Sequence, residues 1–461
     1  MKNTMEKRYG LLTAISMVVG IVIGSGIFFK TEAVLEVTGG NAITGVLSLL
    51  IIGVIVFFCA YTFSLLAQKH AKVNGILDYA EAAYGEKYAY YLGWFVTFIY
   101  TPGIISVLGW VSAMYLCSLF GFEATGGETM VLAAFILIGD AFLNAASPKL
   151  AGKTQVSTTI IKLIPLLLMA VIGICVGLSN GQLAAKFQLA STSEVSVIGG
   201  LTASVVSLAF AFEGWILVTS INAELKEPKK NLPRALILGT LIIVAIYVVY
   251  YLGICGAISI DELLTFGSTQ AFKNIFGNLF GTLLTVFIVI SCLGTTNGLM
   301  MANVRNIYSI AMRGHGPKPE FFARIDETTN MPVNSTFLSA LISMAWLVYY
   351  YGANLSTGWF GFLCFDSGEL VIIAMYAFYI PIFFKMYQDK EANTFNRFVV
   401  PTLAIINSLF LIGCAFYAHG IVKYQEAAAK GEFAFPVLAF FIVTGIFLFI
   451  AKFFYNPKHK S

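Results

Sequence analysis

Three stretches of this chain place groups able to hold a small charged ligand inside apolar sequence. The first is Gly20-Ile21-Val22-Ile23-Gly24-Ser25-Gly26-Ile27-Phe28 and the second is Phe210-Ala211-Phe212-Glu213-Gly214-Trp215. The third is Lys162, in Thr159-Ile160-Ile161-Lys162-Leu163-Ile164-Pro165. A helix interrupted by glycine and serine leaves amide N–H groups unpaired where its second half begins, at the positive end of the dipole, and these suit a carboxylate. It leaves carbonyls unpaired where its first half ends, and these suit an ammonium group. The amides of Ser25, Gly26 and Ile27 are therefore candidate carboxylate donors, with Gly24 and Gly26 keeping the approach open. The carbonyls of Ile21, Val22, Phe210, Ala211 and Glu213 are candidate ammonium acceptors. Facing each other, the two breaks would grip both ends of a free α-amino acid, with Phe212 and Trp215 as wall or gate. The competing reading of the glycines is close helix packing through small residues.

Lys162 lies about nine residues into its apolar run, or about 13 Å of helix. A cation at that depth is expensive and marks function unless its stem reaches the interface. Its ammonium could tie carbonyls of the first break to Ser291, as a fixed cation where a related carrier binds sodium, or it could change protonation. Glu213 beside the second break could likewise serve the ligand or hydrogen-bond a neighbouring backbone. Asp140, Asp366 and Glu369 are the other acids in or near apolar runs. The four histidines stand at expected loops or helix ends. No metal-ligand spacing, phosphate loop or serine–histidine constellation is evident, so neither an enzyme nor a cofactor is expected.

The elements that must carry these residues follow from composition. The chain has 461 residues, 58% hydrophobic and 11% charged, with a mean hydropathy of +0.83, whereas soluble domains carry about 25% charged residues. Apolar runs of about 20 residues mark spans. Twelve are expected, near 11–38, 42–68, 82–118, 130–147, 153–178, 197–223, 234–258, 278–312, 334–352, 358–386, 398–419 and 434–455. This is an all-α polytopic membrane protein; the runs are too long and continuous for a β-barrel. The first and sixth spans carry the breaks, and each opens a five-span set. That placement suggests one transporter domain built as an inverted repeat, 11–178 and 197–386, with the site between the halves and 398–455 outside it. The segment 261–276 is amphipathic and reads as a lid helix or a loop.

Lys2, Lys7 and Arg8 precede the first span with no small-residue cleavage site after it, so a retained first helix is expected. The loops on that side hold most of the cations, among them Lys69, Lys72, Lys149, Lys153, Lys229 and Lys230. The opposite side holds only Lys30, Lys186, Lys273, Lys423 and Lys430. Both termini are therefore expected in the cytoplasm of a plasma-membrane protein. The net charge of +4 reflects this asymmetry and points to the bilayer, not to nucleic acid. All seven cysteines fall in expected spans, which implies no disulfide framework.

These motifs extend to Glu224-Leu225-Lys226-Glu227-Pro228-Lys229-Lys230-Asn231-Leu232-Pro233 and Ser291-Cys292-Leu293-Gly294-Thr295-Thr296-Asn297-Gly298. Together they resemble the amino acid–polyamine–organocation superfamily, within it the L-amino-acid transporter branch, and there the bacterial exchangers of alanine, serine and cysteine. The matches run in order over most of the first ten spans. The resemblance implies a LeuT-like fold in which spans 1, 2, 6 and 7 rock against 3, 4, 8 and 9, and sodium-independent exchange of small neutral L-amino acids. It implies that Lys162 links the first and eighth spans, through Ser291, in place of sodium. Animal relatives join a heavy subunit through an outer-loop cysteine between the third and fourth spans. Here Phe120 to Thr129 has none, so no covalent heavy subunit is expected. Glu213 stands where some relatives have a smaller residue. Proton-coupled symport, with Lys162 or Glu213 changing protonation, is the alternative. A non-transporting sensor or channel is a third reading.

Overall fold

The structure, a computed structural model, describes the chain except residues 1–4, 25, 71, 73, 123–125, 189–196, 260, 263–264, 266–267, 357, 432–433 and 458–461. Ten helices among the described residues are long and apolar enough to cross a bilayer. The first span is a pair, Leu11–Val22 and Gly26–Val37, bent by 43°. The second to fifth are Ala42–Lys69, Glu86–Leu119, Gly127–Ala146 and Pro148–Ser179. The sixth, Gly199–Glu224, is followed by Pro228–Ala257, Leu283–Met312 and Val333–Leu355. A shorter apolar helix, Leu370–Met386, precedes the last two, Phe395–Ala429 and Pro436–Phe453. Helices are the economical solution here because lipid offers no partner for an exposed backbone group.

Several boundaries differ from expectation, the eleventh span running on to Ala429 and the seventh beginning at Pro228, and two of them have a local cause in the backbone. The tenth span, expected over 358–386, becomes helical only at Leu370. Gly358 and Gly361 take positive φ of 59° and 55°. Asp366 then uses its carboxylate to accept the N–H groups of Gly368 and Glu369, at 2.7 and 2.9 Å, so a side chain replaces the helical ladder. Cys364 thus lies in a non-helical stretch rather than in a span. The third span begins at Glu86, not 82, because Gly85 at φ +82° separates it from a short helix, Gly75–Tyr84. Of the segment 261–276, Ser268–Phe276 is a helix with Phe272 buried, while Phe266 lies outside the described residues.

The fifth and seventh spans approach to backbone contact. A Cβ on Gly253 would lie 2.3 Å from the Met169 carbonyl oxygen, and one on Gly173 would lie 2.3 Å from that of Gly253. Small residues permit such crossings, which bind helices in lipid by van der Waals packing where no hydrophobic force separates helix from solvent. This crossing fixes the helix that carries Lys162. Gly253→Val should therefore destabilise the fold by about 1–3 kcal/mol, the usual cost of overpacking. A lowered melting temperature of the purified protein checks it; an unchanged one contradicts this packing.

Candidate functional site

The first break starts where the helix Leu11–Val22 ends. Ile23 takes φ −75° and ψ 84°, outside the helical region, and the second half restarts at Gly26. Gly26 and Ile27 are the first two helical residues, whose N–H groups have no partner inside the helix. Ser25, the third expected donor, lies outside the described residues. The second break follows Val197–Ala211. Gly214 has φ +99°, and a Cβ there would strike the Ile21 side chain at 2.4 Å. Only glycine combines that conformation with that contact. Beyond it the span continues as a 3₁₀ helix, Trp215–Glu224, far longer than the usual three or four residues of such helices, a form that often marks a hinge. The breaks touch: a Cβ on Gly26 would lie 3.1 Å from the Ala211 Cα.

Lys162 is fully buried. Its ammonium donates to the carbonyl oxygens of Gly20 at 2.8 Å, Ile23 at 2.6 Å and Ser291 at 3.0 Å, with the Thr295 hydroxyl at 3.1 Å. The link from the fifth span to the first and eighth therefore exists, and Ser291 serves it with its backbone. Thr295, one turn further on, also donates to the Gly20 carbonyl at 3.1 Å. The register behind this contact is regular. Gln155 and Thr159 donate to the Ser16 carbonyl at 3.5 and 3.0 Å. Residues 155, 159 and 162 share one helix face, and so do the carbonyls of 16, 20 and 23, so two matched rows meet.

A second clamp was not evident in the sequence. The Tyr247 hydroxyl, from the seventh span, lies 3.0 Å from the Val22 carbonyl and 2.8 Å from that of Ala211. One phenol thereby holds the ends of both first half-helices. The Val22 and Ala211 carbonyls share this one hydroxyl, and a carbonyl oxygen carries two lone pairs. The Phe210 carbonyl accepts the Glu213 N–H at 3.3 Å.

Between the breaks is a cavity of about 20 Å³, room for about one water and not for an amino acid. Six of the expected residues line it: Ile21, Val22, Gly24, Gly26, Phe210 and Glu213. Ile27, Ala211 and Phe212 do not. Phe212 instead packs edge-on against Tyr247, ring centroids 4.9 Å apart, and Ile27 is buried in the core. Sequence reasoning missed Ile104, Leu108, Thr295, Leu299 and Ile372 as walls, because apolar side chains on unbroken helices carry no local signal. Glu213 accepts a hydrogen bond from the Tyr100 hydroxyl. Tyr100 closes a π-helical turn, Val96–Tyr100, in the third span.

Charged clusters stand toward both ends of the spans that carry the cavity. On the face carrying the N-terminus, the buried Arg305 guanidinium pairs with Glu224 and donates to the Met301 carbonyl at 2.7 Å. The Arg8 and Tyr9 N–H groups bond the Glu224 carbonyl at 2.8 and 3.0 Å. Arg313 pairs with Asp78 nearby. On the opposite face Lys30 meets Glu369 at 3.0 Å, and His419 meets the other oxygen of that carboxylate at 2.8 Å. Lys30 also lies over the Phe210 ring, 5.9 Å from its centroid.

Helices broken at mid-membrane around a shared cavity define a multi-pass carrier of the LeuT-like class. The solved structure of MhsT in complex with L-phenylalanine has this fold, with a TM-score of 0.57 at 15% identity over 90% of this chain and 99% of that one. The chain belongs to the amino acid permease family, whose profile matches residues 9–461, within the amino acid–polyamine–organocation superfamily. It is similar to the serine/threonine exchanger SteT of Bacillus subtilis, 28% identical over 422 residues, covering 89% of this chain and 91% of that protein. It is also similar to the b(0,+)-type amino acid transporter 1 of Mus musculus, 24% identical over 420 residues, covering 89% and 82%.

Two substitutions probe the clamps. Lys162→Met strands carbonyls at about 1–3 kcal/mol each, so transport should fall at least about ten-fold. Amide exchange across 20–24 should rise while the protein remains monodisperse; normal flux contradicts the linking role. Tyr247→Phe removes one shared donor and should lower stability by about 1 kcal/mol. Thermal melts check it, and no shift would mean that the two carbonyls do not depend on the phenol.

Proposed function

We propose that this permease is a sodium-independent, alternating-access exchanger of small neutral L-amino acids such as alanine, serine and cysteine. The observation that carries this reading is the Lys162 ammonium, which occupies the carbonyl cluster between the first break and the eighth span. A protein cation fixed there leaves those oxygens without need of a sodium ion. The substrate carboxylate binds the amides of Ser25, Gly26 and Ile27 at a positive helix end. Its ammonium binds the carbonyls of Ile21 and Glu213, with Phe210 against the side chain. The serine/threonine exchanger among the relatives favours small substrates.

In the cycle, spans 1, 2, 6 and 7, taken from both repeats 11–178 and 197–386, rock as a bundle against spans 3, 4, 8 and 9, while 398–455 stays outside the repeat. The gates at Arg305–Glu224 and Lys30–Glu369 open in turn. Substrate contacts to both breaks lower the barrier between the states, so an empty carrier returns slowly. The cation-rich loops support a reading with both termini in the cytoplasm of a plasma-membrane protein. The loop from Phe120 to Thr129 offers no cysteine for a covalent heavy subunit.

A second reading, proton-coupled symport, rests on Glu213, a buried carboxylate that lines the cavity and accepts from Tyr100. Uptake of radiolabelled L-alanine into proteoliposomes, in sodium-free buffer at symmetric pH, separates the two. Exchange predicts uptake at least about ten-fold faster when the vesicles are preloaded with L-serine, a change of about 1.4 kcal/mol in barrier. Equal uptake into empty vesicles, rising with an imposed inward proton gradient, would replace exchange with symport.

A further inference from the structure

A second cavity, of about 320 Å³, lies away from the site, on the membrane face that carries the N-terminus. One wall is the start of the first span, with Arg8, Tyr9 and Thr13; the other is the start of the fifth. From the fifth span it takes Lys149, Gly152, Lys153, Val156 and Ser157, whose spacing of i, i+3, i+4, i+7 and i+8 defines a single helix face. The Tyr9 ring forms the floor. A Cβ on Gly152 would lie 2.7 Å from it, and the Tyr9 hydroxyl donates to the Pro148 carbonyl at 2.9 Å.

The charge in this cavity is unbalanced. Arg8 is partly answered by Glu224 at 3.7 Å and Glu6 at 3.9 Å. Lys149 and Lys153 have neither an ion pair nor a side-chain hydrogen bond among the described residues. No acidic residue lines the cavity, whereas the hydroxyls of Thr13 and Ser157 do. Such a set of two free cations and two hydroxyl donors suits a phosphate oxyanion.

The surroundings favour a lipid over a free anion. The face bearing Lys153 and Ser157 continues along the same helix as Ile160, Ile164, Leu168 and Val171, all exposed, Ile160 by 58% and Val171 by 63%. Leu12, next to Thr13 on the opposite wall, is 65% exposed. From Lys153 to Ile164 the helix rises about 16 Å, about half of a bilayer core. A cationic pocket at the rim thus opens onto an apolar stripe one leaflet deep.

We propose that this cavity binds the phosphate headgroup of an anionic phospholipid, with an acyl chain along Ile160 and Ile164. Bound there, the lipid joins the N-terminal segment and the first half of the broken first span to the fifth span, next to the Arg305–Glu224 pair.

The test is native mass spectrometry of the full-length protein released from bilayers of mixed phosphatidylglycerol and phosphatidylcholine. The wild type should retain phosphatidylglycerol preferentially, and salt should weaken that preference. Each basic residue near the surface contributes roughly five-fold in affinity, so K149A/K153A should lose about 25-fold. K229A/K230A, which removes two exposed cations elsewhere on the same face, should retain the lipid. Equal loss in both double variants, or none in K149A/K153A, overturns the site. Displacement of the lipid by millimolar inorganic phosphate assigns the pocket to a soluble anion and overturns the lipid reading. The salt dependence is read on the unaltered protein, so it decides the matter even if a variant folds poorly.

Discussion

Everything in this fold answers to one constraint: two helices stop being helices in the middle of a bilayer. Each interruption leaves peptide groups that neither lipid nor the helical ladder can satisfy, at a cost of several kcal/mol apiece. The protein meets that cost with two side chains borne on unbroken neighbouring spans. The Lys162 ammonium gathers three carbonyls, two from the first break and one from the eighth span. The Tyr247 hydroxyl joins the carbonyl ends of both broken helices. The second half of the first span restarts at Gly26, where the first amides of a helix have no partner within it. The glycine contacts between the fifth and seventh spans then acquire a purpose, because they fix the two helices that carry the clamps.

The ion pairs at either end obey a different economy. A buried ion pair roughly breaks even against the hydration it gives up, while losing one partner inside is strongly destabilising. Arg305 and Glu224 are almost fully buried, so each depends on the other, whereas the Lys30 and Glu369 side chains are 22% and 20% exposed. The outer cluster reaches the second break directly, through Lys30 over the Phe210 ring. Lys30 therefore contacts both this cluster and the second break. The long 3₁₀ helix after Gly214 ends in Glu224 itself, so the second break and the inner ion pair belong to one element.

Much of this was legible because polar residues in apolar runs are conspicuous. Gly24, Gly26, Glu213 and Lys162 stand out against their neighbours, and six of the expected site residues do meet at one cavity. Hydropathy led to twelve spans, against ten long helices, the bent first pair and the shorter Leu370–Met386 among the described residues, and the break in the first span was legible from its glycines. Tyr247 was not legible, since one tyrosine among 22 gains its role only when the seventh span packs across both breaks. Thr295, Ile104 and Ile372 were hidden for the same reason. The tenth span was overextended because apolar composition continues through 358–369, while Asp366 and two left-handed glycines divert the backbone there. Phe212 was misplaced because, once the helix has broken, periodicity no longer tells which way a side chain points.

The Lys162 ammonium already holds carbonyls of the broken first span. The most direct measurement is the affinity of the purified protein for L-serine, titrated with sodium in choline-balanced buffer at constant ionic strength. One affinity is expected at every sodium concentration, because the carbonyls of Gly20, Ile23 and Ser291 are already held. Affinity that rises in proportion to sodium would contradict it, showing that an ion is needed where the lysine was thought to suffice.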